Sequence, residues 1–197
     1  MEQGTELTRS ERLFLRISIW QTVLSVAGIF IAAVALYAAL TESEAVRRQT
    51  AASVWPYVQL SVDDHLSTDA ALFELSLTNS GVGPAHIRAM RVTIGGRAML
   101  TWKDAVLAVV GTDAPAFSQT FANNRVFRPG ERVTIFGTRA PVLVRALREA
   151  VVNESAGVEY CYCSIFDECW TVDSRSPEAG PATVAACTDY GGEQFLN

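Results

Sequence analysis

The feature that most constrains this chain is residues 17–40, ISIWQTVLSVAGIFIAAVALYAAL, a run without a charged side chain. At about 1.5 Å of rise per residue the run makes roughly 36 Å of helix, enough to cross a hydrocarbon core of about 30 Å with some tilt. Trp20 and Tyr37 sit near its two ends, where amphipathic rings favour the headgroup region. No face of the run is polar, which disfavours a buried helix of a soluble protein. It also exceeds the roughly 7–15 residues of a signal-peptide core, although the alanines of the stretch from Ala35 to Ala39 imitate a small-residue cleavage site. The expectation is a permanent anchor, joined in a chain of 197 residues to one domain of ordinary size.

Orientation is more finely balanced. Arg9, Arg12 and Arg16 precede the run, and Arg47 and Arg48 follow it, a margin of three to two for an N-inside topology. The short N-terminal tail, with its own amino group, adds to the same side. The resulting expectation is a single-pass protein with its N-terminus inside and its C-terminal domain outside.

Beyond the anchor the pattern changes from helical to β. Residues 41–53 are polar and helix-compatible and read as a juxtamembrane stalk. Residues 71–78, ALFELSLT, alternate cleanly, with Phe73, Leu75 and Leu77 on one face and Leu72, Glu74, Ser76 and Thr78 on the other. Further strands are expected at 54–62, 87–94, 117–121 and 132–136, with Gly95-Gly96 as a turn. Residues 102–110 and 141–152 carry helical patterns, the second with Pro141 near its start. The fold class is therefore mainly β: a single N-terminal transmembrane helix followed by an Ig-like β-sandwich with two short inserted helices. The expected boundaries are a tail at 1–16, the span at 17–40, the stalk at 41–53, the sandwich at 54–175 and a C-terminal tail at 176–197.

The function classes that remain are few. The net charge is −5, and residues 49–197 hold eleven Arg and Lys against sixteen Asp and Glu, with no basic run to meet phosphates. Nucleic acid is not an expected partner. The stretch DDHLSTD at 63–69 puts Asp63, Asp64 and His65 together, yet no further ligands stand at recognised spacing. It reads as a solvated loop, and an enzyme acting through these residues is a distant alternative. The only other histidine, His86, starts a strand and reads as a structural or surface residue. No catalytic triad order, phosphate cradle or zinc-protease helix can be assembled, so neither an enzyme nor a cofactor is expected. The anchor itself carries a seam: Ser18, Gln21, Ser25, Gly28, Ala32, Ala35 and Ala39 recur at spacings of three and four. Small seams let helices approach closely, which points to self-association or a partner's span, against the alternative that Ala is simply abundant here.

The cysteines pose the sharpest question. Three of four fall in VEYCYCSIFDECWTVD at 158–173, and Cys187 stands apart. If 158–163 and 169–173 are the arms of a hairpin, Val158, Tyr160, Tyr162, Trp170 and Val172 share a core face only when Tyr162 opposes Trp170 and Tyr160 opposes Val172. That register sets Cys163 opposite Cys169, with Cys161 on the same outer face. A disulfide wants Cβ atoms about 3.5–4.5 Å apart, so it fits only the closer type of cross-strand pair. Cys161 is then left for Cys187. Three connectivities exist for four cysteines, and this one is favoured by the register. The alternatives are free thiols or zinc, although the pattern lacks the paired C-x2–4-C of a zinc knuckle. An even count in a small anchored domain favours an oxidising compartment, which again favours C-outside.

Several motifs recur together. One span followed by Val54-Trp55-Pro56-Tyr57, then Asn79-Ser80-Gly81-Val82-Gly83-Pro84-Ala85, then Cys161-Tyr162-Cys163-Ser164 and Cys169-Trp170, resembles a group of uncharacterised bacterial single-span, membrane-anchored β-rich proteins. Their marks are a WP-aromatic start, an N-x-G-x-G-P-A turn and a CYCS…CW hairpin in that order. The resemblance implies an anchored β-rich domain and no activity. Residues 174–197 lie outside it. The combined expectation is a single-pass protein of a bacterial inner membrane, N-inside, whose periplasmic domain is a binding or scaffold subunit of a membrane-associated complex; the alternative is a cytoplasm-facing sensor or regulatory domain with free or zinc-binding cysteines.

Overall fold

The structure, a computed structural model, describes residues 9–196 apart from 112, 177, 179 and 194. It divides into an N-terminal unit through residue 50 and a β-rich unit from residue 51 onward. The first is a continuous helix, α1 (Arg9–Ser53), long and apolar enough to cross a membrane. Its apolar side chains, Trp20, Phe30 and Leu36 among them, are exposed along the whole run. The polar stretch 41–53 continues the same helix.

The second unit is built from two antiparallel sheets. One has four strands in the order β1 (Val58–Leu66), β2 (Ala71–Asn79), β7 (Arg132–Thr138) and β5 (Phe117–Gln119). The other runs β10 (Ala182–Val184), β9 (Cys169–Asp173), β8 (Ala156–Cys163), β3 (Ala85–Ile94) and β4 (Arg97–Met99), with β6 (Val126–Phe127) also paired to β3. Two helices connect them. Helix α2 (Trp102–Val110) starts at a capping box: Thr101 accepts from the Asp104 backbone N–H, and the Asp104 carboxylate accepts from the Thr101 N–H. Helix α3 (Pro141–Val152) starts on Pro141, whose missing N–H costs nothing in a first turn. Between β3 and β4, Gly95 and Gly96 both take positive φ (57° and 74°), the backbone a two-residue hairpin turn demands.

One core joins the two sheets and both connecting helices. Phe73, Leu75 and Leu77 of β2 meet Ile87, Met90 and Val92 of β3 and Tyr160 and Tyr162 of β8. The helices add Trp102 and Val106 from α2 and Leu143, Val144 and Leu147 from α3. Each such side chain contributes about 1.5–3 kcal/mol by leaving water, which is why alternation in β2 translates directly into orientation.

Two sequence readings change here. Asp63, Asp64 and His65 do not form a loop: β1 runs on to Leu66, pairing Asp64 with Phe73 and His65 with Leu72. β1 is the outer strand of its sheet, where charged side chains stay in water and protect an open edge. The segment at 176–197, read as a tail, contributes to the packed unit through its described residues. They supply β10, the bonded Cys187 and a fully buried Phe195, whose ring lies edge-on to Trp102 at 4.8 Å. Backbone N–H groups of Phe195 and Leu196 donate to the Met90 and Leu100 carbonyls at 2.8 and 2.9 Å, closing that segment over α2 and β3.

Candidate functional site

The three sequence motifs converge on the end of the domain that holds the hairpin. Asn79, fully buried, saturates its side-chain amide. Its Oδ1 accepts from the Tyr57 and Gly81 N–H groups (3.2 and 3.1 Å), and its Nδ2 donates to the Gly83 and Phe127 carbonyls (2.8 and 3.2 Å). The Trp55 carbonyl in turn accepts from the Val82 and Gly83 N–H groups at 3.0 and 3.3 Å. A Cβ on Gly81 would strike the backbone of residues 55–57, and one on Gly83 the backbone of Val54. These two glycines are required by close approach rather than by turn geometry. The WPY and NSGVGPA stretches are thus two halves of one latch at the start of the domain.

The hairpin is the third part. Tyr162 opposes Trp170, Tyr160 opposes Val172 and Cys163 opposes Cys169. The rings face inward: Tyr162 stacks on Trp170 at 5.6 Å and on Tyr160 at 6.3 Å, and Trp55 meets Trp170 edge-on at 6.4 Å. Tyr160 donates its hydroxyl to the Val58 carbonyl at 3.0 Å. Burial raises both phenols, pushing Tyr162 up to about 12.

On the outer face stand the sulfurs. Cys163 is bonded to Cys169 and Cys161 to Cys187, the pairs that the hairpin register brings together. The Cα atoms of Cys163 and Cys169 are 4.0 Å apart, a close cross-strand pair. The second bond closes a separation of 26 residues and ties the C-terminal segment to β8. Ala89, Val184 and Tyr190 pack around the two cystines as a small cluster of their own. The two bonds touch: Cys163 Sγ lies 3.6 Å from Cys187 Sγ, and the sulfurs of Cys163, Cys169 and Cys187 fall within 4.8 Å of one another. Oxidised, this is a double clip. Reduction would free four thiols in one small cluster, the residue types that bind thiophilic ions.

Charge flanks the clip. Glu159 accepts from Arg91 at 2.8 Å and from Arg175 at 2.6 Å, and Arg175 also reaches Asp173 at 2.9 Å. The hydrogen bond from Arg175 holds the Asp173 carboxyl below its ordinary range. Arg91 lies over the Tyr190 ring at 5.0 Å. His86, opposite Cys163 on β3, is lowered by burial and by the neighbouring Arg88. The other candidate residues of the β-rich unit lie apart from this cluster. Asp63 pairs with Arg132 and Asp64 with Arg148. Ser25, Gly28, Ala32, Ala35 and Ala39 are exposed on α1, and a Cβ at Gly28 would meet nothing within 4 Å.

The chain belongs to the family described as a domain of unknown function (DUF8453), whose model matches residues 17–166. The matched segment starts with the apolar run and ends in the turn of the hairpin, so it contains the Asn79 latch, Cys161 and Cys163; Cys169 and Cys187 follow it. No curated protein and no solved structure matches the chain.

Proposed function

We propose that the chain is a single-pass protein of a bacterial inner membrane, N-inside, whose disulfide-clipped periplasmic domain binds or scaffolds a partner in a membrane-associated complex. The observation that carries this reading is the pair of touching cystines, Cys161–Cys187 and Cys163–Cys169, in a chain with one membrane-length apolar helix. Two adjacent disulfides persist in an oxidising compartment and are reduced in the cytosol. The arginine margin of three to two around residues 17–40 points the same way.

The domain itself reads as an immunoglobulin-like sandwich. Its strand orders β1-β2-β7-β5 and β9-β8-β3 follow the A-B-E-D and G-F-C orders of that fold, with β4 added beside C and β10 beside G. Such sandwiches offer surface and position. The acidic residues of β1, committed to Arg132 and Arg148, serve ion pairs rather than acid–base chemistry. The small-residue seam through Gly28 is the anchor's contribution, a close-packing face for a second copy or for a partner's span. A topology reporter tests the location: alkaline phosphatase fused after Ser53 is active and green fluorescent protein dark there. The opposite pattern overturns it.

The second reading, a cytoplasm-facing regulatory domain with zinc on reduced cysteines, is favoured by the close grouping of the Cys163, Cys169 and Cys187 sulfurs. Metal analysis of protein purified from reducing cytosol separates the two: one zinc per chain supports this reading, and none removes it.

A further inference from the structure

The core is not completely filled. Among α2, α3 and strands of both sheets lies a partly open cavity of about 260 Å³, walled by Leu60, Phe73, Leu75, Val92, Trp102 and Val106 among other apolar side chains. It exceeds the roughly 150 Å³ of an apolar cavity known to take up benzene. Scaled from the six non-hydrogen atoms of benzene in that cavity, the space has room for roughly nine or ten. Apolar walls that face solvent or void forgo the burial and contacts of a filled core, so an apolar occupant gains both.

Trp102 gives the space a chemical preference. The residue is 3% exposed, and its indole N–H has no acceptor among the described residues. The ring cannot swing out to find one. It is clamped at 4.8 Å by both Phe136 and Phe195, and its backbone is held by the capping box that opens α2. A buried donor without an acceptor carries its full desolvation penalty, which an oxygen brought by a ligand would relieve.

The mouth decides the charge. Glu154, Ser174 and Arg175 line it, and Arg175 is already engaged by Asp173 and Glu159 at 2.9 and 2.6 Å. The cation is spent and a carboxylate stands beside it, so an anionic head group gains nothing there. We propose that this cavity is a binding site for an uncharged, aliphatic molecule of about nine non-hydrogen atoms, whose single acceptor oxygen takes the Trp102 N–H. A medium-chain alcohol, or an ester or amide of similar size, has this chemistry. The site lies wholly inside the β-rich unit and works in either membrane orientation, so its failure leaves the topology proposal untouched.

The test uses the full chain in detergent-free phosphatidylcholine nanodiscs, with the four tryptophan indoles labelled for NMR and 1-octanol as the probe. Trp102→Phe identifies the Trp102 signal. That signal shifts saturably on titration while the Trp20 signal, reporting the lipid, follows partitioning linearly. Octane, lacking the oxygen, binds about two- to tenfold more weakly. Ala105→Phe, which fills the cavity, weakens octanol binding at least tenfold. If that variant loses the dispersed indole signals of a folded domain, Val62→Trp at the half-open wall serves as the filling change. An unmoved Trp102 signal overturns the proposal, and so does an identical response in a folded, cavity-filled variant.

Discussion

The two faces of one hairpin hold the domain together by opposite means. The inner face of β8 and β9 presents Tyr160, Tyr162 and Trp170, which are cohesive because they leave water and stack on one another and on Trp55. The outer face presents Cys161, Cys163 and Cys169 and has little apolar area, with Ala89 and the half-buried Val184 and Tyr190 beside them. Packing fixes the register, and the covalent bonds lock what the register has already aligned. The inner face stabilises the folded state directly; the outer face acts chiefly by restricting the unfolded chain. Breaking each face in turn tests that division.

The largest effect belongs to the inner face. Trp170→Ala removes the ring that joins Tyr162 to Trp55 and costs about 3–5 kcal/mol in chemical denaturation. A loss below about 1 kcal/mol would show that the stack is incidental. On the outer face, replacing Cys161 and Cys187 together by Ala frees a loop with a separation of 26 residues and costs about 3.5 kcal/mol. The same change at Cys163 and Cys169, separated by only 6, costs about 2 kcal/mol. The order of these two losses matters more than their size: a tighter dependence on the short clip would place native-state packing of the sulfurs above loop closure.

A smaller change probes the seam between rings and backbone. Tyr160→Phe deletes the bond to the Val58 carbonyl and costs about 1 kcal/mol. The last test acts only in alkali. Because burial raises the Tyr160 and Tyr162 phenols in the folded state, their contribution is complete below the unfolded value near 10 and is lost as pH rises through the folded value, about 12 for Tyr162. Absorbance titration should show tyrosinate from these two residues lagging behind the exposed phenol of a denatured control, with stability falling across the same window.

The hairpin was legible in sequence because its alternation admits one solution: any slip of one residue turns Tyr160, Tyr162 and Trp170 to solvent. The apolar run and the half-buried β2 were legible for the same reason, long periodic patterns with a single satisfactory burial. The C-terminal segment was not. Phe195 is one apolar residue among polar neighbours, and no period announces that it will pack on Trp102. β10 and β6, of three and two residues, are too short to carry a pattern. The acidic run at 63–66 resembles a loop because composition reports solvation, and an outer strand is solvated too. The latch was visible as two motifs, but their union through Asn79 depends on four hydrogen bonds across distant segments. The cavity and the unpartnered indole of Trp102 had no sequence signal, since Trp in an amphipathic helix reads as filled core.

The central claim is that the outer face is a covalent clip in an oxidising compartment. The most direct measurement is peptide mapping by mass spectrometry of the full chain, from intact cells whose free thiols are alkylated before lysis and kept unreduced. The account predicts Cys161 linked to Cys187 and Cys163 linked to Cys169, with no alkylated cysteine at any of the four positions. Four alkylated cysteines would contradict it and put the domain in the cytosol.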